Sequence, residues 1–206
     1  MKVMARTLVA LMLFALESRA DAQDAGFGNR FDKPTLAALT AIVDSARGAN
    51  LPTAPLVDKA LEGAAKRSDN PQIIAAVRQL FVQMGSARRV LGTAASPDEI
   101  KVAAATLGSG VSEHDLELLR AASGRRPVTM PLAVLTDLIG RNVPIATAAG
   151  LVIQLARSGV TDQDLTQFQR NVRADIERGA DPSAAATTRA RGLLLRPANP
   201  ESKPPE

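Results

Sequence analysis

The sequence predicts an all-α protein built from antiparallel helical hairpins in one domain, with the grammar of a degenerate α-solenoid-like repeat. Three observations predict it. Apolar residues recur at steps of three or four in segment after segment, and no segment alternates apolar and polar residues as a half-buried strand would. Alanine, the strongest helix former, is abundant. The breaks between segments share one order: a stop residue, an apolar residue, then a starter. It is seen at Asn50-Leu51-Pro52, Gly110-Val111-Ser112, Asn142-Val143-Pro144, Gly159-Val160-Thr161 and Gly179-Ala180-Asp181.

The stretch from Asn142 to Gly179 shows this grammar most fully. Ala148, Leu151, Val152 and Leu155 share one face of a first helix, and Leu165, Phe168, Val172 and Ile176 share one face of a second. Gly159 suits the left-handed residue past a helix end, because it has no Cβ to clash. Thr161 suits the N-cap, Asp164 three residues later completes a capping box, and Val160 is placed to staple onto Leu165. A short turn between two one-faced helices makes an antiparallel pair.

The remaining elements follow in order. Pro34 to Arg47, starting near Asp32, presents Leu36, Leu39, Ile42, Val43 and Ala46. Pro55 to Lys66 presents Leu56, Ala60, Leu61 and Ala64. Pro71 to Leu91, the longest, follows the start signal Asp69-Asn70-Pro71 and presents Ile73, Val77, Leu80, Met84 and Leu91. Ser96-Pro97-Asp98-Glu99 opens a helix to Leu107 with Ile100, Ala103, Ala104 and Leu107; Pro97 stands where the first helical residue needs no N–H. Glu113 to Ala122 presents Leu116, Leu119 and Ala122; Pro131 to Gly140 presents Leu132, Leu135, Leu138 and Ile139. Asp181 to Arg191 is an Ala-rich final helix. Gly63 and Gly150 stand inside helices, either where neighbours approach closely or as merely tolerated sites.

Successive starts at 52, 69, 96, 112, 129, 144, 161 and 181 are mostly one short helix and one turn apart. A shift of 92 residues lays Asn50-Leu51-Pro52 on Asn142-Val143-Pro144, Asp69 on Thr161, Ile73 on Leu165 and Arg78 on Arg170. The expected unit is a helical hairpin of about 30 to 40 residues, within the size range of helical solenoid repeats.

The first 22 residues read as a secretory signal peptide. Lys2 and Arg6 are followed by an apolar run from Thr7 to Leu16, then by Ala20-Asp21-Ala22, a small-x-small site with the cut after Ala22. The run is shorter than the ~20 residues of a membrane span. Residues 23–33 read as a flexible arm whose Phe27 and Phe31 pack back on the body or meet a partner; residues 34–191 are the helical domain. Residues 192–206, with four prolines, read as a disordered Pro-rich tail. The mature part would carry 22 basic and 19 acidic residues, a mild +3 and far from a concentrated nucleic-acid footprint. An exported chain without cysteine holds its core without disulfides.

The chemistry-bearing residues point away from catalysis. His114 is the only histidine, and it falls in the first turn of a helix between Glu113 and Asp115, where side chains face water. One histidine and no cysteine do not make a zinc site. Asp162 and Asp164 suit a helix N-terminus and lack the spacing of a calcium loop. The pairs Asp58–Glu62 and Glu113–Glu117 share helix faces, but no Trp or Tyr offers a sugar platform. Gly108-Ser109-Gly110 is too short for a phosphate loop. Arg88-Arg89, Arg125-Arg126 and the group Arg170, Arg173 and Arg178 suit either an anionic partner or solvated faces, and interspersed acids favour the latter.

The expectation is therefore an exported, non-catalytic helical-repeat protein acting as a protein-binding or scaffold module of a bacterial cell envelope, periplasmic or secreted. It would need no catalytic, cofactor or metal residues. Its partner would be another envelope protein, with no nucleic acid and no stable membrane span. The alternatives are a periplasmic carrier of a small apolar ligand and, behind it, a carboxylate-only hydrolase.

Overall fold

The computed structural model describes residues 26–195, which are all-helical and contain no strand. The nine helices among them are α1 (Lys33–Gly48), α2 (Ala54–Ala65), α3 (Asn70–Leu91), α4 (Pro97–Gly108), α5 (Glu113–Ser123), α6 (Thr129–Gly140), α7 (Ile145–Arg157), α8 (Asp162–Glu177) and α9 (Pro182–Leu194). The proposed signal peptide, its cut after Ala22 and residues 196–206 lie outside the described residues. The last helix runs to Leu194, past the expected Arg191.

The chain gathers into two compact units, one ending at Gly85 and one beginning at Ser86. In the first, α1 packs on α2 and buries Leu39, Val43 and Leu56. Asp32 caps α1 by accepting from the Thr35 N–H at 2.9 Å and also accepts from the Asn70 amide at 3.2 Å, tying the start of α3 to the start of α1. Phe27 is buried and meets Phe31 edge-to-face at 5.9 Å, so this part of the expected arm is packed. Gly63 marks a close approach: a Cβ there would lie 2.7 Å from Ile73 of α3. Gly150, the other helix glycine singled out from sequence, has open space around it.

In the second unit, alternate helices are neighbours. The pairs are α4 with α6 and α6 with α8, then α5 with α7 and α7 with α9; α6–α7 and α8–α9 join the two rows. At its centre α6 buries Pro131, Leu132, Val134, Leu135 and Leu138, a wider apolar surface than the single stripe expected from sequence. A helix that is apolar nearly all round belongs in an interior. A polar link crosses this packing: the hydroxyls of Thr106 on α4 and Thr136 on α6 lie 2.9 Å apart, so that one donates to the other while the second donates to a carbonyl of its own helix.

The shared punctuation has a shared backbone. After α1, Asn50 is left-handed (φ 53°) and the Leu51 N–H returns to the Ala46 carbonyl at 2.9 Å. After α6, Asn142 is left-handed (φ 64°) and the Val143 N–H returns to Leu138 at 3.0 Å. Both are Schellman stops, with the following apolar residue buried. α2 ends in the same way at Arg67 (φ 58°), a stop with no Gly or Asn to announce it. The expected capping box of α8 is present: Asp164 N–H donates to Thr161 Oγ1 at 3.1 Å, and Thr161 N–H donates to Asp164 Oδ2 at 3.2 Å. The 92-residue echo is thus one of local conformation, with Ile73 and Leu165 both buried one turn into their helices.

Candidate functional site

A cleft of about 380 Å³, open to solvent, lies in the second unit where the α5–α6 and α7–α8 turns meet the start of α8. Its lining is mostly aliphatic, from Pro127, Pro131, Ala156, Val160 and Leu165; the polar members include Ser123, Arg126, Thr161 and Asp162. A smaller cleft of about 190 Å³ lies between α8 and α9, beside Phe168, Asn171 and Leu193. There Arg189 grips Asp175 in a two-pronged contact at 2.5 and 2.8 Å, which holds α9 against α8.

A hydrogen-bonded seam builds the wall of the larger cleft. α6 opens at Val128, which has no capping side chain of its own. Glu99 supplies one from a distance: Oε1 accepts from the Val128 N–H at 3.1 Å while Oε2 accepts from the Ser96 N–H at 3.0 Å. One carboxylate therefore starts both α4 and α6. Burial pushes the Glu99 carboxyl up, but hydrogen bonds from Ser96 and Val128 and the charge of Arg120, 3.7 Å away, outweigh it and hold the group below the ordinary glutamate range. Arg120 in turn donates to the carbonyls of Gly124 and, at 2.7 Å, of Arg126. Arg126 spans the gap to the next hairpin, donating from Nε to Ser123 O at 3.4 Å, from Nη1 to Val160 O at 3.2 Å and from Nη2 to Ala156 O. The Ser123 and Ala156 carbonyls lie in the last turns of α5 and α7, where a helix leaves carbonyls without partners of its own, and Val160 lies in the α7–α8 turn.

The residues singled out from sequence are scattered over exposed faces. His114 is 74% exposed and 3.8 Å from Glu117. Glu62 lies between Lys59, at 3.1 Å, and Lys66, while Asp58 is exposed. Glu113 pairs with Arg89 at 3.3 Å. Asp162 and Asp164 sit in the first turn of α8, and Ser109 bonds back to its own helix at 3.1 Å. Arg88 closes the α3–α4 turn through the carbonyls of Thr93 and Ala95 at 3.0 and 3.3 Å. Arg173 pairs with Glu177 at 2.8 Å and Arg178 with Asp175 at 2.5 Å, while Arg170 is exposed. Among the described residues, no three of the His, Asp and Glu side chains gather as a metal cluster would, and no helix is long and apolar enough to cross a membrane.

Of the chemistry-bearing residues singled out, Arg126 and Asp162 reach the cleft, and Arg126 does so as a strut between turns. Sequence reading missed this role and that of Glu99, because both partners lie about thirty residues away on backbone atoms. The local signal pointed elsewhere: the start read at Thr129 is the first residue inside the helix, and the cap position falls on Val128, which has no side-chain cap of its own. In comparisons with known proteins, no family model, no curated protein and no solved structure matches this chain.

Proposed function

We propose that this chain is an exported, non-catalytic helical-repeat module that binds another protein of the cell envelope. The observation that carries the reading is the pairing of alternate helices in the second unit, α4–α6–α8 and α5–α7–α9. Stacked helical rows of this kind leave their turns and outer faces free for partners. The exposed, ion-paired carboxylates support a binding role over an acid–base one, since a working acid or base pair needs perturbed groups within a cleft. The export part of the reading is supported by the basic start, apolar run and Ala20-Asp21-Ala22 site of the sequence.

Two experiments test it. Mass measurement of the protein purified from fractionated cells should give an N-terminus at Gln23 in the envelope fraction; an intact Met1 chain in the cytoplasm would overturn export. The mature protein, used as bait in envelope extract with crosslinking, should retain a protein whose crosslinks map to residues of the second unit. The size and aliphatic lining of the larger cleft favour one other reading, a carrier of a small apolar molecule. Recovery of such a molecule without a protein would establish that reading instead.

A further inference from the structure

We infer that the cleft at the α5–α6 and α7–α8 turns takes an extended acidic segment of a partner protein, with one apolar side chain of that segment seated against Pro131, Ala156 and Leu165. The inference rests on the protein-binding reading above and adds the place and the partner's chemistry.

The charge around this cleft is unbalanced. Arg126 lines it, and Arg125 and Arg157 are exposed chain neighbours of lining residues. Arg125 and Arg157 have no hydrogen-bond or ion-pair partner among the described residues. Arg126 is bonded only to carbonyls, which hold its guanidinium in place without cancelling its charge. A guanidinium has five N–H donors; three are taken, so donors remain for an incoming carboxylate. Because the fork is already fixed, little side-chain freedom is lost when an anion binds. Against these three cations stand two acids, Asp162 of the lining and Asp164 in the Thr161 cap, so the surroundings keep a net positive charge.

The shape limits the partner further. A cleft of about 380 Å³ admits a side chain or a short peptide and no folded domain. Its aliphatic lining matches an apolar side chain, while the arginines match flanking carboxylates. An anionic bilayer would meet the arginines and leave the aliphatic space empty, so the observations favour the peptide. Charges placed around such a site raise association rates and reject basic competitors.

The test uses the mature chain and a random peptide library displayed on phage, followed by a synthesised winner and by vesicles of phosphatidylglycerol. The expected winners carry Asp or Glu on both sides of an apolar residue. Their affinity should weaken at least about tenfold in the double variant Arg125→Glu, Arg157→Glu, which leaves the Arg126 strut intact, and should fall with added salt. An unchanged circular dichroism spectrum and melting curve would show that the double variant is folded; if it is not, Arg125→Gln with Arg157→Gln replaces it. No selection, neutral or basic winners, or an affinity indifferent to both variants overturns the inference. So does binding to the vesicles alone. If the envelope partner is still captured by the double variant, the protein-binding reading stands and this cleft is not its site.

Discussion

Helices α6 and α8 are neighbours of similar role in the chain's grammar, yet they differ in how much of their surface they hide. α6 buries five residues spread round its axis and packs among α4, α7 and α8. α8 buries only Leu165, Phe168 and Val172, and turns Gln163, Gln167, Arg170 and Arg173 outward. The width of the apolar stripe therefore reports position in the stack: an inner helix is enclosed, and one near the end keeps a polar face for water.

The comparison can be broken most directly in α6. Leu135→Ala is expected to cost about 2–5 kcal/mol in a urea titration, because the enclosing helices cannot close over the cavity. Arg173→Ala on the outer face of α8 should stay within about 0.5 kcal/mol. Equal losses at the two sites would erase the distinction between inner and end helix.

Gly63 and Gly150 sharpen the same contrast at smaller scale. Gly63→Ala would drive a methyl into Ile73 and is expected to cost about 1–3 kcal/mol. Gly150→Ala meets nothing and should stabilise the fold by roughly 0.5–1 kcal/mol through helix propensity alone. Thermal melts of both variants decide the matter, and shifts of the same sign would contradict the packing described.

The smallest expected effect is one of acid sensitivity. Glu99 is held below its ordinary range when folded, so its contribution is fully present above the unfolded-chain value and is lost as pH falls through the lower folded value. Asp32, lowered mainly by the Thr35 hydrogen bonds, and Asp175, lowered mainly by Arg189, act in the same direction. Stability should thus decline on acidification below about pH 4, the ordinary carboxylate range. Glu99→Gln should be less stable at neutral pH and lose less on acidification. Parallel stability–pH curves for the two proteins would remove Glu99 from the seam.

What sequence could and could not reveal follows the same division. α8 was legible in detail, from the Thr161–Asp164 box to the stripe of Leu165, Phe168 and Val172, because caps and one-sided stripes are local signals. α6 was legible as a helix but not as an enclosed one: a single-stripe reading took Leu132, Leu135, Leu138 and the half-buried Ile139 and passed over Pro131 and Val134. The end of α2 was placed at Lys66, but the left-handed Arg67 that makes the stop was invisible, because a bulky residue in that region announces nothing in a sequence. The cleft was out of reach, since the Arg126 strut beside it is held by carbonyl oxygens that every residue possesses. Periodicity shows which face is buried and says nothing of which distant arginine will reach a turn.

The double duty of Glu99 has a kinetic corollary. With the first turns of α4 and α6 anchored to the same side chain, α4 cannot fray at Glu99 without stranding the Val128 amide of α6. Release of that shared carboxylate exposes the Ser96 and Val128 amides together, and their exchange with deuterium would proceed at a common pace.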